Sequence, residues 1–190
     1  MPLPQKKEHY TYADYRTWDD SERCELIDGV VYAMSPAPLR RHQRILGNLH
    51  LLFAAYLKDQ PCEVYLAPFD VRLNASTVDD TVVQPDLVIV CDSSKLDDYG
   101  CCGAPDLVAE VLSPSTVRLD QVVKFNAYQQ AGVREYWIVD PDTLTVSVYV
   151  LENGRYYALR YSDDDTADAQ VLPGCRISLT DVFADQSYPK

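Results

Sequence analysis

No apolar run in the sequence approaches the roughly 18–20 residues that cross a bilayer. The opening stretch, "MPLPQKKEHYTYADY", also lacks the apolar core of a signal peptide. These two absences predict no membrane partner and a cytoplasmic location. None of the six cysteines (Cys24, Cys62, Cys91, Cys101, Cys102 and Cys175) forms a C-x-x-C pair, and adjacent Cys101 and Cys102 make a poor chelate. All six are therefore predicted to be reduced and structural, as the compartment rule requires. Positive charge is scarce: 17 Lys and Arg face 29 Asp and Glu, a net charge of −12. That excludes a general nucleic-acid-coating role, because neutralising phosphates takes Lys and Arg. It leaves room for a nuclease with a local basic or metal-bearing cleft. Part of the excess lies in "SDDDTADAQ" (Ser162–Gln170), which reads as a solvated acidic loop. With no repeat, low-complexity linker or composition break, 190 residues predict a single domain, 1–190.

What is present orders itself as a mixed α/β (α+β) chain: a mixed central β-sheet flanked by helices, with extra β-hairpins. After a short helix in "TYADYRTW", "RCELIDGVVYAMS" reads as two strands around the Asp28–Gly29 turn pair. "PLRRHQRILGNLHLLFAAYLKDQ" is an amphipathic helix, with Ile45, Leu46, Leu49, Leu52, Phe53, Tyr56 and Leu57 at helical spacing. Three strands follow in "EVYLAPFDVRL", "TVVQPDLVIV" and "DLVAEVLS". The last two are apolar on both faces, the mark of central strands covered on each side. "STVRLDQVVKFNAYQQAGV" is a second long helix, capped by Ser115 or Thr116 and stopped by Gly132. "REYWIVD" is another buried strand, Asn153–Gly154 turns a second hairpin, and "LTDVFA" closes the chain as a short helix.

Three charged residues break this pattern. Glu110 and Asp86 interrupt central strands, where an unpaired carboxylate costs several kcal/mol. Lys124 lies on the inward stripe of the second helix, beside Val117, Ala127, Tyr128 and Ala131, with Asp120 one turn earlier on the same side. Lys124 could instead snorkel to the helix edge. One account covers all three: two carboxylates on adjacent strands and a lysine from the next helix neutralise one another and hold a divalent cation. Hard oxygen ligands select Mg²⁺ or Mn²⁺. Such a set suits metal-assisted phosphodiester hydrolysis, with the lysine orienting a water or stabilising a phosphate oxygen.

Pro85–Asp86 in "QPDLV" and Glu110 in "AEVLS" resemble the PD-(D/E)xK nuclease superfamily. The phrases "ELIDGVVYAMSP", "HQRILGNL", "APFDVRL", "VVQPDLVIV", "GAPDLVAEVLSPST", "AGVREYWIVDP" and "LPGCRISLTDVF", with Asp120, Lys124 and Tyr128 at four-residue spacing, resemble the Uma-type restriction endonuclease family more closely still. The likeness runs from about residue 11 to 184. It implies a restriction-endonuclease-like core, DNA as substrate, Mg²⁺ or Mn²⁺ as cofactor, and Asp86 and Glu110 as metal ligands with the Val111 carbonyl as a third. The superfamily's lysine position holds Leu112, so the likeness implies Lys124 as its replacement. Glu25 in "CELIDG" is the early acid that could complete the site; a surface-paired strand residue is an equal reading of it.

Further candidates carry less signal. His42 continues the apolar stripe of its helix and reads first as a core-edge histidine, second as a catalytic base. Asp70 interrupts a strand and could join the acids, while Gln84 could meet a phosphate or satisfy a strand edge. Ser113 reads as a turn residue, since no G-x-S-x-G surrounds it. Arg40, Arg41 and Arg44 form the one compact basic cluster, suited to a phosphate backbone or merely to solvent. The expected activity is metal-dependent endonucleolytic cleavage of DNA by a homodimer, two centres serving a double-strand break. A binding or regulatory dimer that keeps the fold without turnover is the alternative.

Overall fold

A computed structural model describes residues 8–18, 23–34 and 38–185. Met1–Lys7, where the signal-peptide reading began, and Ser35 and Pro36 of the family phrase lie outside the described residues. Helix α1 (Tyr12–Tyr15) leads into strands β1 (Cys24–Ile27) and β2 (Val30–Ala33), joined by Asp28 and Gly29 at φ 50° and 73°. Both central residues are left-handed, as a two-residue turn matching strand twist requires. Asn153 and Gly154 do the same, at φ 51° and 78°, between β11 (Thr145–Glu152) and β12 (Arg155–Ser162).

The expected single central sheet divides into two six-stranded sheets. "EVYLAPFDVRL" does not run as one strand. It breaks at the cis Ala67–Pro68 bond into β3 (Glu63–Leu66) and β4 (Asp70–Arg72), which join different sheets. "TVVQPDLVIV" breaks likewise at Gln84–Pro85–Asp86, into β5 (Val82–Val83) and β6 (Leu87–Val90). Proline cannot donate to a ladder, so each apolar run is interrupted where Pro68 or Pro85 stands. After β7 (Leu96–Asp97), β8 (Gly100–Cys102), β9 (Leu107–Val111) and β10 (Glu135–Asp140), the sheet orders are β2-β1-β5-β4-β8-β7 and β12-β11-β10-β9-β6-β3.

Helix α2 (Arg40–Leu57) buries Ile45, Leu46, Leu49 and Phe53 against the odd-numbered face of β9 and β10, including Ala109, Val111, Trp137 and Val139. Small strands β13 (Thr166–Asp168) and β14 (Arg176–Ser178) and helix α4 (Leu179–Phe183) extend that layer. The opposite face, with Val108, Leu112, Tyr136 and Ile138, packs against the first sheet and α3 (Phe125–Ala131). The second sheet is thus covered on both sides, which explains why β6, β9 and β10 read as nearly continuous apolar runs.

The second long helix departs from the expectation in one respect. Leu119–Lys124 is π-helical, interrupting a helix that is α-helical at Val117–Arg118 and again from Phe125. A wider turn rotates the upstream residues, so Val117, placed inward by a regular wheel, is exposed, whereas Asp120 and Lys124 are both buried. Gly132 ends α3 as expected. The cysteine expectation also fails: Cys62 and Cys91 form a disulfide. Pairing of Glu63 with Val90 sets them opposite each other at one end of the sheet, with Cα atoms 3.9 Å apart. They lie 29 positions apart in sequence, so spacing alone carries no sign of the bond. Among the described residues, no helix is long and apolar enough to cross a membrane.

Candidate active site

Antiparallel pairing of β6 with β9, Leu87 opposite Ala109, lays the start of one strand beside the end of the other. Asp86 and Glu110 therefore become neighbours and lock together through the main chain. Asp86 N–H donates to Glu110 Oε2 (3.2 Å), and Val111 N–H donates to Asp86 Oδ2 (2.8 Å). Asp86 is the accessible member, with 21 % of its side chain exposed, against 4 % for Glu110.

Lys124 enters from the π-helical turn. Its Nζ donates to Glu110 Oε1 and lies 2.8 Å from Glu25 Oε1, with Asp120 Oδ1 at 3.7 Å. Glu25 is buried on β1 and accepts a second bond from Gln84 N–H (2.8 Å), so the surface-paired alternative does not describe it. Tyr128 O–H donates to Glu110 Oε1 (3.0 Å). His42, on the first turn of α2, places Nε2 3.1 Å from Asp86 Oδ2, with the Val111 carbonyl near its ring. Its Nδ1 is buried without a hydrogen-bond partner among the described residues. Sequence reasoning missed Tyr136, whose O–H donates to the Asp120 carbonyl (3.1 Å) and whose ring packs against Tyr128. Its signal was parity: Tyr136 precedes Ile138, which lies opposite Glu110 on the neighbouring strand.

Asp70 and Gln84 stand one hydrogen-bond step away. Gln84 Nε2 donates to Asp70 Oδ1 (2.8 Å), Tyr15 O–H donates to the same oxygen, and Arg23 Nη2 donates to Gln84 Oε1. Asp70 is thus not in the carboxylate group around Lys124. Ser113 takes part in a turn with Ser115 and Thr116, as expected of it. Arg41 bonds to Asp142 and the Pro141 carbonyl, and Arg44 pairs with Asp185.

The electrostatics follow from burial. Desolvation pushes Glu110 well above the usual carboxylate range, opposed by Lys124 and reinforced by Asp120, Asp86 and Glu25. Asp120 is pushed up to about 6, again by burial, with Lys124 opposing. Burial alone would depress Lys124; the charges of Glu110, Glu25 and Asp120 outweigh it and hold the ammonium protonated. For His42, desolvation lowers and the Asp86 bond and charge raise, the latter winning.

The sequence over residues 12–180 matches the model of the Uma2 family, described as "Putative restriction endonuclease". The chain belongs to that family. Two Synechocystis relatives share its length. "Uncharacterized protein slr1290" is 28 % identical over 84 % of this chain and 84 % of its own. "Uncharacterized protein sll1609" is 27 % identical over 78 % and 85 %. The fold is similar to a crystal structure described as a "putative nuclease belonging to DUF820" from Anabaena variabilis. That match has a TM-score of 0.73 at 19 % identity, covering 92 % of this chain and 97 % of that one. The fold of the family member described here is accordingly restriction-endonuclease-like.

The donor chemistry at Asp86 and Glu110 is that of a hard cation. Among the described residues, no three or more His, Cys, Asp or Glu side chains are arranged to hold a metal. Two carboxylates suffice for Mg²⁺, which commonly keeps water or substrate phosphate in its remaining positions. Asp86 Oδ1 has no hydrogen-bond donor among the described residues, so a ligand atom is available without breaking the cluster.

Proposed function

We propose that the protein is a metal-dependent endonuclease that hydrolyses DNA phosphodiester bonds, with Asp86, Glu110, Lys124 and Glu25 at its centre. One observation carries this reading: three carboxylates, Glu25, Glu110 and Asp120, gather around a single lysine, and a fourth, Asp86, adjoins Glu110. Ionised together, these four acids would outnumber Lys124 and a protonated His42 by two, which is why burial pushes Glu110 and Asp120 upward. A buried surplus of that kind is costly unless protons or a further cation neutralise it. Asp86, Glu110 and the Val111 carbonyl would hold Mg²⁺ or Mn²⁺, which when bound polarises the phosphorus centre and acidifies water.

The protein's own groups set the geometry. Val111 N–H and His42 Nε2 fix Asp86 Oδ2, so the carboxylate cannot rotate away from Glu110. Glu25 and Glu110 hold Lys124 Nζ between them, leaving its third N–H to orient a water or meet a phosphate oxygen. Tyr128 and Tyr136 close the inner side and exclude bulk water. Arg40, at the start of α2 near His42, offers a cation for the DNA backbone. A homodimer would bring the two centres that a double-strand break needs.

Nicking of supercoiled plasmid and of single-stranded DNA tests the reading. Wild type cleaves both or either with Mg²⁺ or Mn²⁺ and not with EDTA. Glu110→Ala and Lys124→Ala each lose about a hundredfold or more, the scale of removing an electrostatic stabiliser. Wild-type cleavage no greater than that of the variants sinks the proposal and leaves the binding or regulatory module.

A further inference from the structure

On the far side of Gln84 from the cluster lies a cleft of about 500 Å³, lined in part by Tyr65, Phe69, Asp70, Gln84, Asp98 and Tyr99. Its volume lies within the roughly 300–1,000 Å³ of small-ligand sites. Tyr65 and Phe69 stack on each other in parallel, with centroids 4.3 Å apart and planes 6° apart, so an outer face of the pair is the aromatic platform left to a further ring. Polar groups in the cleft accept rather than donate. Asp70 spends Oδ1 on Gln84 and Tyr15 and leaves Oδ2 without a donor among the described residues. Gln84 has already committed its amide N–H to Asp70 and Tyr15. Asp97 and Asp98 add two exposed carboxylates.

The rim has the opposite sign. The Arg16 guanidinium lies 4.2 Å from the Tyr99 ring centroid, and Arg23 bonds to Gln84. Both arginines are exposed. Aromatic faces and acceptors inside, with cations at the edge, match a nucleotide: a ring to stack, an amine to donate, phosphates to pair. An organic cation would suit the interior but would be repelled at the rim.

Resting on the nuclease reading and deepening it, we propose that this cleft binds one unstacked nucleobase carrying an exocyclic amine, from a single-stranded or unpaired stretch of the DNA. The base stacks on the Tyr65–Phe69 platform and donates its amine to Asp70, while Arg16 and Arg23 take the flanking phosphates. Thymine, which offers carbonyls where cytosine and adenine offer amines, is disfavoured. Because Gln84 joins this cleft to Glu25, the bound base lies next to the carboxylate cluster.

The test is fluorescence anisotropy with short labelled homopolymers and the full chain in EDTA, so that turnover plays no part. Oligo-dC and oligo-dA bind at least about tenfold tighter than oligo-dT, the lower end of the scale of one hydrogen bond to a charged acceptor. A single 2-aminopurine in a dT strand is quenched on binding. Phe69→Leu and Tyr99→Ala each weaken binding about five- to tenfold and reduce the quench. Asp70→Asn brings the dC and dT affinities together. Tyr99 is 59 % exposed, so its variant keeps the test intact if Phe69→Leu does not fold. Equal binding of dT, an absent quench, or tighter binding of duplex overturns the proposal. So does calorimetric binding of spermidine that Asp70→Asn abolishes, which assigns the cleft to cations. Cleavage with Mg²⁺ but without base selectivity overturns this cleft alone; selectivity without cleavage sinks the nuclease reading and leaves the cleft standing.

Discussion

Replacing Lys124 with methionine keeps the methylene packing of a side chain that is 5 % exposed and removes its charge. Glu25 and Glu110, each 2.8 Å from the lost ammonium, then face one another across the vacated position, with Asp120 close by. Deleting one partner of a buried ion pair costs about 3–5 kcal/mol. For a chain of this size that corresponds to a fall in Tm of roughly 6–20 °C. The cost should depend on pH in one direction. Glu110 and Asp120 have folded-state pKa values above their ordinary ones, so the folded state binds their protons more tightly than the unfolded state does. Stability from such groups is fully present below the unfolded carboxylate value and is lost as pH rises through the folded one. For Asp120 that window runs upward from its ordinary 3.8 to about 6. Without Lys124 both acids shift further up, which widens the window. Calorimetric melts of wild type and Lys124→Met should therefore diverge most near pH 8 and converge near about pH 5. A variant as stable as wild type near pH 8, or a deficit independent of pH, would refute the buried ionised cluster.

Divalent cations should stabilise the folded chain directly. With Mg²⁺ or Mn²⁺ at about ten times Kd, wild type gains about 1.4 kcal/mol, or roughly 3–6 °C in Tm, whereas Asp86→Asn gains little; equal shifts in both place the cation elsewhere. Glu135 is a buried carboxylate outside the site, accepting from Trp137 Nε1 (2.6 Å) and Val171 N–H (2.8 Å). Glu135→Gln turns an amide N–H toward one of these donors and should cost about 1–3 kcal/mol in urea denaturation without altering metal-dependent nicking. Gly100 has φ +145°, and a Cβ there meets the Asp70 carbonyl, to which β8 is paired. Gly100→Ala should lower stability by about 1–3 kcal/mol, and an unchanged Tm would contradict the close approach.

Much of this architecture follows from local pattern. The α2 stripe, both two-residue hairpins and the double-sided apolar strands are each set by residues close in sequence. Asp86, Glu110 and Lys124 stood out because each violates such a pattern, and the structure brings all three together. Other features lack a local signal. Glu25 reads equally well as a surface strand residue; only its pairing into the first sheet and the approach of Gln84 and Lys124 bury it. The π-helical turn at Leu119–Lys124 is invisible to a 3.6-residue wheel, which still faces Lys124 inward but misplaces Val117. Pro68 and Pro85 were available as strand breaks, yet continuous apolar runs on either side outweighed them.

By itself, then, the sequence determined which segments must be buried and which charges would be costly there, because both are properties of residue type and period. Tertiary structure alone decided what neutralises those charges. Glu110 pairs with a lysine 14 positions onward and lies near a glutamate far upstream. Cys62 reaches Cys91 through strand register, against the expectation of six free thiols. Contacts of this kind depend on how strands cross between sheets and how a helix is wound, and those choices minimise the energy of the whole chain rather than of any one stretch.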